Sequence, residues 1–265
     1  MSDGRIDLQH EGHVLTVTLD RPERKNAFGG TMREDLAAAF EKARTLFESG
    51  AVRVIVLRGA GDSFCAGGDV ANLLRLKEAG DEDGLLQLLG KGERAVRAIR
   101  AFPGPVVAAI DGPAVGAGLT LALACDLRIC SARSRFGMAF VTIALHPDWG
   151  GSWLLARTVG EPRARELALT GRLMDADEAA AIGLVHRSVP DAEFDEAVQT
   201  QVRRLARSAP RTLALIKQTF VELPPTLEAG FAREREAQKA AFATDDAREG
   251  FAAFLEKRKP AYQGG

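Results

Sequence analysis

The sequence predicts an α/β fold with a helical carboxyl-terminal part, and three observations support this prediction. Residues 52–57 (VRVIVL) are too apolar for a half-exposed strand and are typical of a buried strand in a parallel sheet. A pattern of apolar strand, turn, glycine-rich segment and helix occurs twice, at residues 54–69 and 106–118. Such alternation is typical of α/β proteins. Beyond Pro190 the pattern changes to charged amphipathic helices with almost no strand signal.

The first 30 residues are predicted to form strands, and a helix is predicted to follow them. Residues 13–19 (HVLTVTL) alternate apolar and polar side chains and end at an Asp-Arg-Pro sequence. Thr31 and Glu34 have the spacing of a capping box, and Gly50 provides a stop signal for the helix that they begin. Residues 80–84 (GDEDG) are predicted to form a mobile surface loop.

The chain beyond Pro190 is predicted to contain three amphipathic helices, at residues 191–208, 210–221 and 226–257. We therefore predict two domains. Residues 1–190 would form an α/β core, and residues 191–265 would form a separate helical part.

Composition and charge exclude several classes of protein. Thirty-five Lys and Arg residues against 36 Asp and Glu residues leave a net charge of −1, so no global basic field would gather nucleic acid. Cys65, Cys125 and Cys130 match no zinc-binding spacing and favour a reducing compartment. The amino terminus lacks the layout of a signal peptide, and no apolar stretch reaches the ~20 residues needed to span a bilayer. We expect a soluble, cytoplasmic protein with no metal ion, no nucleic-acid partner and no membrane partner.

The two glycine-rich segments, at residues 66–69 and 116–118, allow two interpretations. Small residues let a helix pack close to a strand, which is a purely structural role. Exposed N–H groups at a helix amino terminus also bind anions. Because the segments follow successive parallel strands, we expect them at one edge of the sheet, where α/β proteins place ligands. Neither matches a dinucleotide or phosphate-loop motif, whereas two converging N–H groups would form an oxyanion hole.

Three segments resemble the crotonase superfamily, which comprises enoyl-CoA hydratases and isomerases: SFCAGGD at 63–69, IDGPAVGAG at 110–118 and ACD at 124–126. The similarity extends to RPERKNA at 21–27, LTG at 169–171, AIGLV at 181–185 and FLEKRKP at 254–260. It implies a spiral of ββα units, an acyl-CoA substrate and no cofactor beyond its CoA moiety. It also implies that residues 1–190 hold the CoA and acyl site. Residues 191–265 would then be a trimerisation part, giving a homotrimer or a dimer of trimers.

The same resemblance implies roles for individual residues. The backbone N–H groups of Ala66 and Ala117 would form the oxyanion hole. Arg24, Lys25 and Ala27 would lie along the CoA moiety, and Phe254 and Lys257 would reach an adenine-ribose phosphate across a subunit boundary. The remaining predicted substrate contacts surround the thioester and the acyl chain: Phe64, Gly67, Gly68, Asp69, Gly116, Thr120 and Phe140.

The acid and base groups of the family hydratases are missing from this chain. Their two glutamates correspond to Thr120 and Phe140, and neither side chain serves as a general acid or base near neutral pH. Asp148, within LHPDWGGS at 145–152, stands where hydratases commonly have glycine. The segment resembles isomerase-type members, including the ring-epoxide isomerase of phenylacetyl-CoA catabolism. An apolar pocket formed by Phe140 and Trp149 would raise the pKa of Asp148 toward that of a useful base.

The sequence therefore favours an acyl-CoA thioester isomerase in which Asp148 moves a proton between two carbons. One alternative is that Asp148 only caps a helix beginning at Trp149. A 2-enoyl-CoA hydratase is the main rival function, followed by a dehalogenase-like use of Asp148 as nucleophile. RNA binding, known for some crotonase relatives, is disfavoured because acidic residues offset Arg33, Lys42 and Arg44 on one helix. We also expect Cys65 to be an inert thiol and His146 to be structural or solvated.

Overall fold

The structure is a computed structural model that describes residues 3–264. The strands are β1 (Arg5–Glu11), β2 (Val14–Asp20), β3 (Val54–Gly59), β4 (Val106–Ile110), β5 (Pro113–Val115), β6 (Leu127–Ser131), β7 (Arg135–Gly137), β8 (Met174–Asp175) and β9 (Arg187–Val189). The α-helices are α1 (Met32–Glu48), α2 (Val70–Ala79), α3 (Glu82–Ala101), α4 (Ala117–Ala124), α5 (Gly151–Val159), α6 (Glu161–Thr170), α7 (Ala176–Ala181), α8 (Phe194–Ala206), α9 (Pro210–Val221), α10 (Leu227–Phe242) and α11 (Asp245–Leu255). Short 3-10 helices occur at Pro22–Arg24, Ala139–Ile143 and Asp191–Glu193.

The main sheet has six strands in the order β1-β2-β3-β4-β6-β9. Strands β1 and β2 form an antiparallel hairpin, and each later pair in this sheet is parallel. Strand β4 is buried along its whole length, as is most of β3. This agrees with the expectation for an apolar strand that is covered on both faces. The predicted α/β class is confirmed.

Helices cover both faces of this sheet. On one face α1, α3 and α4 contribute buried side chains to a core that includes Leu36, Phe40 and Ile99. On the other face α8 packs Phe194 and Val198 against the outer side chains of β3, β4 and β6. A second sheet has three strands in the order β5-β7-β8. In the sequence, β5 directly follows β4 and β7 directly follows β6. The helical carboxyl-terminal region is present as predicted, and the division of the chain at residue 190 stays a prediction.

Three local predictions differ from the structure. The hydroxyl of Thr31 donates to Asp35 rather than capping α1, and Glu34 pairs with Lys91, so the capping box does not form. The predicted loop at 80–84 is mostly the first turn of α3, whose amino terminus is capped by the side chain of Asp81. The helix predicted at 226–257 is two helices, because Thr244 ends one and caps the next. Within residues 3–264, no helix is both long enough and apolar enough to cross a membrane.

Candidate active site

A cavity of about 440 Å³ lies where the two glycine-rich segments meet α2, α3 and residues 139–149. Its lining brings together Gly67, Gly68, Gly116 and Ala117 from these segments with Phe140 and Asp148. A larger groove of about 740 Å³ between α9 and α10 contains none of the predicted site residues. The first cavity is therefore the candidate active site.

The two glycine-rich segments lie side by side because β3 and β4 are parallel neighbours. The N–H of Val115 donates to the Cys65 carbonyl at 3.0 Å, and the N–H of Cys65 donates to the Pro113 carbonyl at 3.0 Å. A Cβ atom on Gly118 would lie 2.0 Å from the Cys65 carbonyl oxygen, so this contact requires glycine. Gly67 has a positive φ of 101°, and a Cβ there would lie 2.9 Å from the Val115 carbonyl oxygen. The prediction that both segments share one sheet edge is confirmed.

The backbone donors at this edge differ from those that were predicted. The N–H of Ala66 donates to the Lys25 carbonyl at 2.9 Å, so its proton cannot also serve a substrate. Within residues 3–264, neither Gly68 nor Ala117 has an acceptor for its N–H, and both residues line the cavity. The N–H groups that remain free for a substrate oxygen are therefore those of Gly68 and Ala117, which corrects the prediction for Ala66, and their role as an oxyanion hole stays a prediction.

A network around Asn26 fixes the position of this segment. The wholly buried amide of Asn26 donates to the Ala60 carbonyl at 2.8 Å and to the Ser63 carbonyl at 2.7 Å. The N–H of Phe28 donates to the Gly67 carbonyl at 2.8 Å. These bonds fix the backbone of residues 60–67 through the carbonyl groups of Ala60, Ser63 and Gly67. The N–H of Gly68, the next residue, has no hydrogen-bond acceptor in the described part of the chain.

Asp148 contributes the carboxyl group of the cavity. Its Oδ1 atom is buried and has no hydrogen-bond partner among the described residues. Burial raises the pKa of Asp148 from 3.8 to about 6, although the positive charge of Arg33 opposes this rise. Glu93 raises the pKa further, and His146 lowers it. A carboxyl group with such a pKa can both accept and return a proton near neutral pH.

The structure does not support the helix-cap interpretation of Asp148. Helix α5 begins at Gly151, two residues later than that interpretation required, and no side chain caps it. The backbone carbonyl of Asp148, not its side chain, accepts from the N–H of Gly151 at 2.8 Å. The carboxyl group is therefore left to face the cavity.

Trp149 closes the cavity beside this carboxyl group. Its φ of 54° is unusual for a large side chain and turns the indole inward, where it is 5% exposed. The indole packs edge-on against Phe28, with 5.0 Å between ring centroids. A Cβ on Gly92 would lie 1.8 Å from the indole, so α3 must carry glycine at that position. Together with Phe140, Trp149 gives the apolar surroundings that were predicted for Asp148.

Arg33 is a residue of the cavity that the sequence analysis missed. Its side chain is buried, whereas the sequence analysis considers Arg33 only among the basic residues of one helix. The guanidinium carbon lies 5.5 Å from the ring centroid of Phe28 and 5.5 Å from that of Trp149. A sequence signal was present, because Arg33 lies three residues before Leu36 and seven before Phe40, on the buried stripe of the helix.

Three predicted substrate contacts do not line the cavity. Thr120 is wholly buried behind the helix start and donates to the Gly116 carbonyl at 3.4 Å. Phe64 is wholly buried in the hydrophobic core. Asp69 accepts from the N–H of Ala71 at 3.0 Å and pairs with Arg21 at 2.8 Å, so it caps α2. The structure therefore does not support these three residues as contacts within the cavity.

The residues assigned to the CoA moiety lie outside the cavity lining. Lys25 is exposed, and its carbonyl is held by Ala66, while the Ala27 carbonyl accepts from Arg21 at 3.2 Å. Arg24 is also exposed. Near the end of the chain Phe254 and Lys257 are exposed too. The contacts of these five residues with CoA stay predictions.

Two other expectations concern groups near the site. Cys65 is wholly buried, and this burial raises the pKa of its thiol to about 12, as expected for an inert cysteine. His146 is exposed at the cavity rim, with its Nδ1 atom 2.7 Å from the Pro147 carbonyl oxygen. The burial of Cys65 and the exposure of His146 agree with these expectations, and their chemical inertness stays a prediction.

Comparison with known proteins gives one consistent family. A sequence model described as enoyl-CoA hydratase/isomerase matches residues 9–265. A Rhodobacter capsulatus protein named "Probable enoyl-CoA hydratase" is 40% identical over 95% of both chains. The "1,2-epoxyphenylacetyl-CoA isomerase" of Escherichia coli is 37% identical over 96% of both chains.

The similarity extends to solved structures. The crystal structure of an enoyl-CoA hydratase from Polaromonas superposes with a TM-score of 0.92 and 34% identity, covering 98% of this chain and all of that one. The identity, the coverage and the superposition agree with the sequence resemblance. The chain belongs to the enoyl-CoA hydratase/isomerase family of enzymes, the crotonase superfamily.

Proposed function

We propose that this enzyme is an acyl-CoA thioester isomerase that moves a carbon–carbon double bond, with Asp148 as its acid and base. The observation that carries this proposal is a buried oxygen of Asp148 in one cavity with the N–H groups of Gly68 and Ala117, none of which has a hydrogen-bond partner among residues 3–264. An acid/base group and an oxyanion hole are the two elements that proton transfer next to a thioester requires.

The proposed reaction is a 1,3-proton transfer in two steps. The thioester carbonyl of a 3-enoyl substrate accepts hydrogen bonds from Gly68 and Ala117. Asp148 removes a proton from C2, and the electron pair moves onto the carbonyl oxygen to give a dienolate. The protonated Asp148 then returns the proton to C4, which leaves the double bond between C2 and C3. The two N–H groups stabilise the negative charge of the dienolate.

The composition of the lining supports isomerisation over hydration. Among the described residues, 3–264, Asp148 is the only acidic residue that lines the cavity. Phe140 presents an apolar ring at one of the two positions where hydratases carry glutamate, and Thr120 at the other lies behind the cavity wall. Hydration requires one group to activate water at C3 and another to protonate C2, so a single carboxyl group suits the proton shuttle better.

The alternative function is a 2-enoyl-CoA hydratase. It is favoured by the name of the Rhodobacter capsulatus relative, whereas the name of the Escherichia coli relative favours an isomerase. Under this alternative Asp148 would hold and activate water, and a group outside the two usual positions would protonate C2.

One pair of assays separates the two functions. Isomerisation of 3-enoyl-CoA substrates, aliphatic and ring-conjugated, and hydration of crotonyl-CoA are measured on the same preparation. We expect the rate of isomerisation to exceed the rate of hydration by about 10²-fold or more, because hydration lacks at least one general acid or base and such a group contributes about this factor. An Asp148→Asn preparation, purified identically, measures the contaminating host activity in both assays. Hydration faster than each isomerisation tested would overturn the proposal in favour of the hydratase.

The pH dependence of isomerisation is a second expectation. Asp148 must be ionised to accept a proton, and its pKa is raised to about 6. We therefore expect kcat/KM to fall about tenfold per pH unit below pH 6 and to be level between about pH 7 and pH 8. The profile is measured in the wild type and in Asp148→Asn, whose residual rate should lack this inflection. A wild-type profile that stays level down to about pH 4.5 would contradict the role of Asp148 as base.

A further inference from the structure

We propose that Arg33 binds a carboxylate on the acyl group, so that the substrates of this enzyme are CoA thioesters of dicarboxylic acids. The inference rests on the proposed function in one respect, which is that the acyl chain occupies the cavity containing Asp148. The cavity lining includes Arg33, which the family resemblance did not assign to any role.

The position of the guanidinium group favours a ligand that approaches its edge. Arg33 is only 3% exposed, and the rings of Phe28 and Trp149 lie near its charge at 5.5 Å each. Contacts with aromatic rings stabilise a cation, but they do not accept hydrogen bonds from its N–H groups. The Nη2 atom lies 3.9 Å from the position that a Cβ on Gly68 would take. The charge is therefore close to the proposed thioester site and inside the protein.

Arg33 has no partner for its N–H groups among residues 3–264. It takes part in no hydrogen bond or ion pair there, and its Nε atom is fully buried without an acceptor. The neighbouring acids are bound elsewhere, because Glu34 pairs with Lys91 at 2.5 Å and Asp69 pairs with Arg21 at 2.8 Å. Asp148 attracts Arg33 from a distance but forms no ion pair with it. A buried cation without a paired anion is strongly disfavoured, so this site is prepared for a negative ligand.

The chemistry of the cavity limits what that ligand can be. Most of the remaining acyl surface is apolar and is formed by Leu73, Leu85, Leu88, Leu89, Ile143 and Leu145. A hydrocarbon chain would fill this surface and leave Arg33 without water or partner. A carboxylate matches the planar edge of a guanidinium with two parallel hydrogen bonds. The same pairing would leave Asp148 unoccupied and available for proton transfer.

Binding of unreactive substrate analogues tests the proposal without any catalytic step. Saturated CoA thioesters ending in a carboxylate are compared by calorimetry with methyl-terminated thioesters of equal carbon number, with acyl chains of about four to six carbons. We expect the wild type to bind at least one carboxylated member about tenfold or more tightly, as for a hydrogen bond to a charged group. Arg33→Met should lose this preference, and Arg33→Lys should retain part of it. Arg44→Met, which removes an exposed arginine of α1 outside the cavity, is the matched control and should keep it.

Two outcomes would overturn the proposal. One is equal affinity of the wild type for both members of each pair, a result that does not depend on any variant folding. The other is a carboxylate preference that persists in a folded Arg33→Met protein. Because saturated thioesters cannot isomerise, these binding results stand even if the isomerase function fails its own assay.

Discussion

Replacing Asp148 with asparagine is expected to abolish most of the isomerase activity. Asparagine has nearly the same shape but cannot accept a proton, so the rate should fall by about 10²–10⁴-fold, the usual contribution of a general acid or base. No other acidic side chain lines the cavity within residues 3–264 that could replace it. The effect should appear in kcat rather than in KM, because the oxyanion donors and the apolar walls are unchanged. Isomerisation kinetics and exchange of α-protons in D₂O measure the loss directly.

The stability of this variant provides the control. The folded pKa of Asp148 is about 6, above its usual value of 3.8, so its carboxyl group favours folding when protonated. That contribution is complete below about pH 4 and is lost as the pH rises to about 6. The neutral amide avoids this loss, and Asp148→Asn should unfold at the same or a higher temperature than the wild type near neutral pH. A folded variant with wild-type kcat on the tested substrates would remove Asp148 from the mechanism.

Replacing Ala117 with proline is expected to have the second largest effect. Proline has no N–H, so the oxyanion would lose one of its two proposed donors, and the ring carbon bonded to nitrogen would occupy part of the oxygen site. Loss of one such donor lowers kcat by about 10²–10³-fold in other enzymes. Single-turnover measurements with a 3-enoyl-CoA substrate would separate this loss in the chemical step from changes in binding.

The backbone around Ala117 is suited to this substitution. Ala117 is the first residue of α4, where proline is favoured because its missing N–H has no partner within the helix. The preceding residue, Gly116, has φ 56° and ψ −123°. This is the mirror image of the conformation favoured before proline, and glycine adopts it without a steric penalty.

Two variants that keep the N–H groups serve as controls for the proline substitution. Ala117→Gly retains the donor, and Gly68→Ala does too, since a Cβ on Gly68 would lie no closer than 3.8 Å to its neighbours. Both should retain most of the activity. A folded Ala117→Pro protein with near-normal turnover would refute the proposed oxyanion hole.

Much of the fold was predictable because its determinants are local. The apolar run of β3 and the repeated pattern of strand, glycine-rich segment and helix specify parallel strands with their loops at one edge. The predicted capping box does not form because Glu34 makes a tertiary contact instead, an ion pair with Lys91 on α3. The loop predicted at 80–84 became helical because Asp81 supplied the cap for α3.

The details of the site depended on contacts between distant segments. The N–H of Ala66 and that of Gly68 look equivalent in the sequence, and only the hydrogen bond from Ala66 to Lys25 distinguishes them. Arg33 lies on the buried stripe of α1, but a charged residue at such a position gives no sign in the sequence of what it contacts. Its role depends on Trp149, which lies far along the chain and turns inward through an unusual φ.

The contact between Gly92 and Trp149 constrains how this family can diverge. Glycine within a helix is less favourable than alanine by about 1 kcal/mol, yet any side chain at position 92 would collide with the indole. A larger residue at position 92 can therefore appear only together with a smaller one at position 149. That exchange would open the wall beside the acid and admit a different acyl shape. A relative that keeps this tryptophan on the same backbone must therefore keep glycine at position 92 as well.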